Sequence, residues 1–205
     1  EIYKSIGDRQ KEGTTLNHIG EIYFNLGENN QALQVLQQAL AMHRQLGNKA
    51  GEGTAFNNFG QIYTYLGDYN KALENYQQAL AIHRQLNERS EAAETINNIG
   101  VIYLYRGQYS QALENFKQAL TIHIQLKNKI GEGTTLINLG SLYENQGNYT
   151  QALKQYQQAL VIIQKLGDKG REGTILGNMG ILYSDIGQYD QALKNFQQAL
   201  DITRQ

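Results

Sequence analysis

The sequence repeats itself every 40 residues, and this period constrains the fold more than any other feature. A glycine recurs at one position of every unit: Gly20, Gly60, Gly100, Gly140 and Gly180. A tyrosine recurs three residues later: Tyr23, Tyr63, Tyr103, Tyr143 and Tyr183. A fixed period of this size is typical of stacked units that bury a core only by contact with their neighbours. The sequence therefore predicts one array over 1–205 rather than separate globular domains.

The units are expected at 7–46, 47–86, 87–126, 127–166 and 167–205, and 1–6 is expected to be the tail of a preceding unit. Repeat arrays normally carry an atypical, polar unit at each end, and neither end of this chain has one. The first residue is Glu1 rather than methionine. We therefore expect the chain to be a fragment of a longer array.

Each unit has the pattern of two helices joined by short turns. In the second unit, apolar residues recur at spacings of three and four, which marks one face of a helix: Phe56, Phe59, Ile62, Tyr63 and Leu66. The expected N-caps of the first helices are Asp8, Asn48, Asn128 and Asp168. Those of the second helices are Asn30, Asn70, Ser110, Thr150 and Asp190. Left-handed glycines are expected to end the first helices: Gly27, Gly67, Gly107, Gly147 and Gly187.

The recurring glycine lies inside a helix, where it costs about 1 kcal/mol relative to alanine. A close approach between helices explains that cost, and we expect Gly60 to face Ala72 and Ala79 of the second helix. Large side chains are expected to fill the core on either side of this contact: Leu36, Tyr76, Phe116, Tyr156 and Phe196.

Composition excludes several classes of function. The chain has 18 basic and 19 acidic residues and a formal net charge of -1, so it lacks the basic excess that binds nucleic acid. It has no cysteine, which fits a reducing compartment and favours a cytoplasmic location. It also has no apolar run long enough to cross a membrane. We expect neither a nucleic-acid nor a membrane partner.

The residues Gly100, Tyr103, Ala112, Phe116 and Ala119, preceded by Ile96 and Ile99, resemble the tetratricopeptide repeat, and the resemblance covers the entire chain. The usual unit has about 34 residues. This longer variant without proline is similar to the Pins/LGN adaptors, to kinesin light chain and to bacterial or cyanobacterial arrays. The resemblance implies an all-α fold: a right-handed superhelical α-solenoid of helix-turn-helix repeats. It also implies a protein-interaction scaffold whose first helices line a concave groove that binds an extended peptide or partner segment.

The resemblance points to the polar residue two positions before the recurring glycine as a peptide contact: His18, Asn58, Asn98, Asn138 and Asn178. On a helical wheel, positions 54, 58, 61 and 65 lie opposite the core stripe. An amide can donate to and accept from a peptide backbone. The same face includes further candidates: Asn17, Asn57, Gln61, Tyr65, Asn97 and Tyr105. The alternative is that these asparagines bond to neighbouring helices and hold the inner layer in register.

The expected ligand has roughly a dozen residues, at about three per inner helix. Its expected charge is neutral to mildly basic, because threonine stands where Pins/LGN repeats often carry a basic residue. Glu21, Glu94 and Glu144 add negative charge to the same side. Two other functions remain open at this point: a structural arm that assembles end to end, or a module that regulates an effector such as a protease domain.

Three histidines are also 40 residues apart: His43, His83 and His123. Equivalent helices lie about 8–10 Å apart, whereas zinc–imidazole bonds measure about 2.0–2.1 Å, so these histidines are expected to be packing or surface residues. The chain has no set of nucleophile, base and acid at matching positions. We therefore predict no catalytic residue, no metal site and no cofactor, and we do not expect an enzyme.

Overall fold

In the computed structural model, the described backbone covers residues 2–203, and the described side chains begin at Asp8. Within this range the chain forms ten α-helices and no strand: α1 (Ile2–Asn25), α2 (Asn29–Gln45), α3 (Lys49–Tyr65), α4 (Tyr69–Gln85), α5 (Arg89–Tyr105), α6 (Tyr109–Gln125), α7 (Lys129–Asn145), α8 (Tyr149–Leu166), α9 (Lys169–Asp185) and α10 (Tyr189–Thr203). The two expected ends of the array, Glu1 and Gln205, lie outside the described residues.

The helices belong to two compact units, Glu1–Ile102 and Tyr103–Gln205, and the boundary falls within α5. In the first unit, α1 pairs with α2 and α3 pairs with α4, while both α1 and α2 contact α3. In the second unit, α7 pairs with α8 and α9 with α10, while α6 packs on α7 and α8 on α9. The predicted all-α class and the helix-turn-helix repeat are confirmed.

Three of the four caps predicted for the first helices are confirmed. The side chains of Asn48, Asn128 and Asp168 accept a hydrogen bond from the backbone N–H three residues later, at 3.1, 2.9 and 2.9 Å. The prediction for Asp8 is wrong, because α1 continues through it without a break. The other three caps each follow a turn, whereas the backbone of α1 is already helical before Asp8, so Asp8 cannot serve as its N-cap.

The caps predicted for the second helices are wrong by two residues. Asp68 accepts from the N–H of Lys71 at 3.2 Å, and Asn148 accepts from that of Gln151 at 3.3 Å. Glu28 and Gln108 hold the same position without a side-chain cap bond. The left-handed glycine reverses the chain within one residue, so the next residue already serves as the cap. The predicted residues lie in the first helical turn instead.

The predicted left-handed glycines are confirmed at all five positions, where φ lies between 69° and 79°. The second helices end in the same way, and two of them do so without glycine. Asn87 and Lys127 have φ values of 57° and 56°. Asparagine tolerates this conformation better than most residues, whereas the lysine carries its usual steric cost.

The recurring helical glycine faces a large side chain, so the prediction that it faces two alanines is wrong. A methyl group on Gly60 would lie 2.6 Å from ring carbons of Tyr76. The same contact recurs between Gly20 and Leu36, between Gly140 and Tyr156, and between Gly180 and Phe196. The alanines are buried nearby but leave the central space to the larger residue. Four of the five predicted core side chains are buried: Leu36, Tyr76, Phe116 and Tyr156. Phe196, in α10, is 40% exposed.

Two glycines of the second unit test this contact. A methyl group on Gly140 would overlap the buried Tyr156 ring, whereas one on Gly177 in α9 meets nothing within 4 Å. Overpacking costs about 1–3 kcal/mol, and alanine gains about 1 kcal/mol over glycine within a helix. We expect Gly140→Ala to lower the free energy of unfolding by as much as 2 kcal/mol or so, and Gly177→Ala to raise it by about 1 kcal/mol. Urea denaturation monitored by circular dichroism measures both, and equal shifts would contradict the packing role of Gly140.

Candidate functional site

Two asparagines of the first unit, Asn58 on α3 and Asn98 on α5, keep their amide groups available. Both side chains are half-buried. Neither makes a hydrogen bond or other polar contact with any residue that the structure describes. An amide has two donor hydrogens and a carbonyl acceptor, and partly desolvated polar groups favour a partner. These two side chains can therefore hydrogen-bond to a polar backbone that approaches α3 and α5.

The neighbouring asparagines connect helices to one another. Asn17 on α1 is 3% exposed, and its amide donates to the carbonyl oxygen of Gly51 on α3 at 3.2 Å. The carbonyl oxygen of the Asn57 side chain lies 3.5 Å from the hydroxyl of Thr95 on α5, which donates at 2.8 Å to the backbone carbonyl of Glu91 in its own helix. Asn97 is 6% exposed. This row consists of helix-to-helix contacts in the first unit, and the burial of Asn17 and Asn97 leaves little of either side chain to a ligand. Thr95 had no distinguishing signal in the sequence.

The other predicted contacts lie in different surroundings. His18 and Gln61 are exposed on α1 and α3, and His18 Nδ1 lies 3.8 Å from a carboxylate oxygen of Glu21. In the second unit, Asn138 on α7 and Asn178 on α9 are half-buried. Burial raises the pKa of Tyr156, and Asn178 lies near enough to the Tyr156 hydroxyl to offset part of this rise.

Tyr65 is an exposed aromatic residue on the same helix as Asn58. It is 69% exposed at the end of α3. Its ring meets that of Phe24 on α1 edge to face, with centroids 5.6 Å apart. Such pairs add about 0.5–1.5 kcal/mol beyond their buried area, which holds the exposed ring in place. Tyr105, the equivalent residue of α5, belongs to the second unit and is 58% exposed.

A polar network in the second unit was missed from the sequence. The Tyr156 hydroxyl donates to a carboxylate oxygen of Glu144 at 2.7 Å and lies 3.1 Å from the hydroxyl of Ser141. Burial raises the pKa of Tyr156, so the phenol stays protonated and remains a donor. The network therefore holds the Glu144 carboxylate of α7 against the Tyr156 hydroxyl. The sequence predicts Tyr156 as a core residue from its ring, and that prediction does not include the polar contacts of its hydroxyl.

The three recurring histidines are buried packing residues. His43 on α2 is fully buried, and its ring lies against Gly13 of α1 and Gly51 of α3, where a side chain would collide with it. The side-chain amide nitrogens of Asn17 and Asn48 lie 3.3 and 3.1 Å from its two ring nitrogens. His123 packs in the same way on Gly131. Within 2–203, no group of three or more metal-ligating side chains comes together.

The sequence matches a known repeat family over most of its length. The family model described as Tetratricopeptide repeat matches residues 11–85, 54–125 and 131–205. The chain therefore belongs to the tetratricopeptide repeat family, as the spacing of its glycines, tyrosines and alanines predicted. No curated protein matches the sequence significantly. Among the described helices, none combines the length and the apolar character that a membrane span requires.

Solved structures share the fold at low sequence identity. The kinesin light chain repeats of Podosopora anserina are 16% identical with a TM-score of 0.72, over 94% of this chain and 95% of that one. A Rap protein complexed with Competence and Sporulation Factor is 15% identical with a TM-score of 0.86, over 94% and 54%. The Rap conjugation gene regulator of the plasmid pLS20, solved with a peptide, is 15% identical with a TM-score of 0.81, over 90% and 51%. This chain spans about half the length of each Rap protein.

The buried histidines predict a loss of stability in mild acid. Burial lowers the pKa of His43 and of His123. Below pH about 6.5 the unfolded chain therefore binds more protons than the folded one. Stability is fully present above this pH and falls as the pH drops, by at most about 1.4 kcal/mol per pH unit for each histidine. Urea denaturation at pH 7.5 and 5.5 measures the loss.

The substitution His123→Ile provides the control, because isoleucine stands at the equivalent position 163 and is buried there. It also removes a ring nitrogen, Nδ1, that is buried without a hydrogen-bond partner. The variant is expected to lose less stability between the two pH values than the unsubstituted chain. An equal loss would show that His123 does not contribute.

Proposed function

We propose that this chain is a protein-interaction scaffold that binds an extended peptide or partner segment along its first helices. The observation that carries the proposal is the pair of half-buried amides of Asn58 and Asn98, which have no polar partner within the described residues. A side chain that served only to hold helices together would be bonded to a neighbouring helix, as Asn17 is.

The asparagines of the first unit form two rows with different roles: one consists of Asn17, Asn57 and Asn97, and the other of Asn58 and Asn98. Asn17 bonds α1 to α3, and Asn57 of α3 lies 3.5 Å from the Thr95 hydroxyl of α5, so both lie between adjacent helices. Asn58 and Asn98 then present donors and acceptors at a repeating distance on adjacent helices. An extended peptide exposes backbone N–H and C=O groups that need partners. A repeated amide suits such a ligand because it binds the backbone rather than a particular side chain.

The magnitudes require a second source of affinity. Two amide contacts at about 0.5–1.5 kcal/mol each supply about 1–3 kcal/mol, and a micromolar complex needs about 8 kcal/mol. The exposed Tyr65 ring, held by Phe24, is an apolar surface of the same unit that can bury a ligand side chain. The ligand we propose therefore combines a polar backbone contact with at least one apolar anchor, and it is neutral to mildly basic.

The comparisons support binding in general terms. Two structures with the same fold are described as complexes of Rap proteins, one with Competence and Sporulation Factor and one with a peptide. Tetratricopeptide repeats as a class form binding surfaces rather than reactive centres, and we propose that this chain is not an enzyme. End-to-end association of copies is the alternative partner, and sedimentation across a range of concentrations distinguishes it from a monomeric binder.

A display library of random dodecapeptides tests the proposal. Selected peptides are titrated by calorimetry against the unsubstituted chain and against the double variant Asn58→Ala, Asn98→Ala. Removing two amide contacts is expected to weaken binding by roughly 5- to 150-fold, from about 1–3 kcal/mol. The melting temperature should change little, because these side chains bond to no described residue.

The matched control is Asn75→Ala, Asn115→Ala. Each of these asparagines lies on a second helix and donates to a backbone carbonyl of its own helix, at 2.7 and 2.8 Å. This variant is expected to bind the peptides normally. Equal affinity of all three proteins would refute the proposed site. So would a large fall in the melting temperature of the Asn58→Ala, Asn98→Ala variant if its peptide binding stayed intact. Replacing lysine and arginine in the selected peptides tests the expected ligand charge.

A further inference from the structure

An apolar cleft lies between α6, α7 and α8 in the second unit. Its volume is about 400 Å³, and its lining includes Leu120, Ile124, Glu132, Leu136, Val161 and Ile162. At about 3.6 residues per turn, positions 132 and 136 face away from Asn138 on the other side of α7. The cleft is therefore separate from the proposed peptide-binding face.

The equivalent place in the first unit is covered by an arginine. Arg44 stands at the position of Ile124, and its guanidinium carbon lies 5.7 Å from the ring centre of Phe56, the equivalent of Leu136. Its Nε is 4.0 Å from a carboxylate oxygen of Glu52. Glu52 also pairs with Lys49 at 2.8 Å. The chain thus contains an arginine that covers an apolar floor and approaches a mostly buried carboxylate.

The next equivalent place, between α8 and α9, is also covered by a polar side chain. Gln164 stands at the same position, and its amide donates to Glu172 at 3.0 Å. Glu172 pairs with Lys169 at 2.8 Å, as Glu52 does with Lys49. The glutamate therefore has two partners in both places: a lysine three residues earlier on its own helix and a polar residue from the preceding helix.

The cleft lacks the second of these partners. Ile124 cannot bond to Glu132, whose polar partner among the described residues is Lys129, at 2.6 Å. Ile124 and Val161 are each 53% exposed. Val161 replaces the alanine found at positions 41 and 81, which makes the wall more apolar. The result is an exposed apolar cleft with a carboxylate on its floor that has room for another donor.

We propose that this cleft binds an arginine side chain carried by a partner segment with apolar residues beside it. The partner would supply from outside what Arg44 supplies within the chain. The stem and planar guanidinium of arginine cover apolar surface while donating to a carboxylate. Charge complementarity favours a cation over a neutral residue at Glu132, and the pairing of Glu52 with two cations shows that Lys129 does not prevent it.

The probe is an acetylated nine-residue peptide with one central arginine between leucines, and its partner peptide carries citrulline in place of the arginine. Titrations are followed by the methyl NMR signals of Ile124, Leu136 and Val161. The arginine peptide is expected to bind at least tenfold more tightly. Glu132→Gln should remove this preference without abolishing binding of the citrulline peptide.

Two exchanges between equivalent positions complete the test. Ile124→Arg should cover the cleft and weaken the arginine peptide at least tenfold, while Arg44→Ile should open a second cleft and raise the stoichiometry from one to two. Both residues already occur at this position of the repeat, so both variants are expected to fold, and circular dichroism checks this.

Equal binding of the two peptides, or normal binding by Ile124→Arg, would overturn the proposal. So would a dimer in sedimentation that Ile124→Arg abolishes, because the occupant would then be a second copy. The Asn58→Ala, Asn98→Ala variant should bind this probe normally, which separates this site from the inner face.

Discussion

The contact between a helical glycine and a large side chain of the paired helix is the interaction on which each repeat depends. The Tyr76 ring occupies the space that a side chain on Gly60 would fill, and the same exchange recurs at Gly20, Gly140 and Gly180. Glycine is unfavourable inside a helix, so the packing it permits must outweigh that cost. Once the two helices are held at this distance, the alanines beside the ring are buried and the turns between the helices can be short.

Contacts between successive pairs use a different set of residues. The His43 ring lies on two glycines from α1 and α3, and Asn17 bonds across the same two helices. These buried polar groups leave few alternatives for how one pair stacks on the next. They also explain why two rows of asparagine exist in the first unit. Asn17 belongs to the row that lies between helices, whereas Asn58 and Asn98 have no polar partner among the described residues.

Variation among the repeats carries as much information as their similarity. Position 124 holds isoleucine where position 44 holds arginine and position 164 holds glutamine. In isolation this change looks like an ordinary surface substitution. Its consequence appears only when the three places are compared in space, because Arg44 and Gln164 both reach a glutamate that Ile124 leaves with the lysine alone. The equivalent positions of the repeat therefore serve as internal controls for one another.

The sequence by itself determined the period, the helix pair and the family, because each depends on spacing that repeats five times. It also located the left-handed glycines, since few other residues adopt that conformation. It failed where a contact depends on packing between helices, because the pattern pairs Gly60 with alanines rather than with Tyr76. It also failed locally, because the turn after each left-handed glycine places the second-helix caps two residues earlier than predicted. Asn17 and Asn58 share one residue type, yet one is buried between helices and the other is open. Only the tertiary structure decided this, because a helical pattern specifies the face of a side chain but not what packs against it.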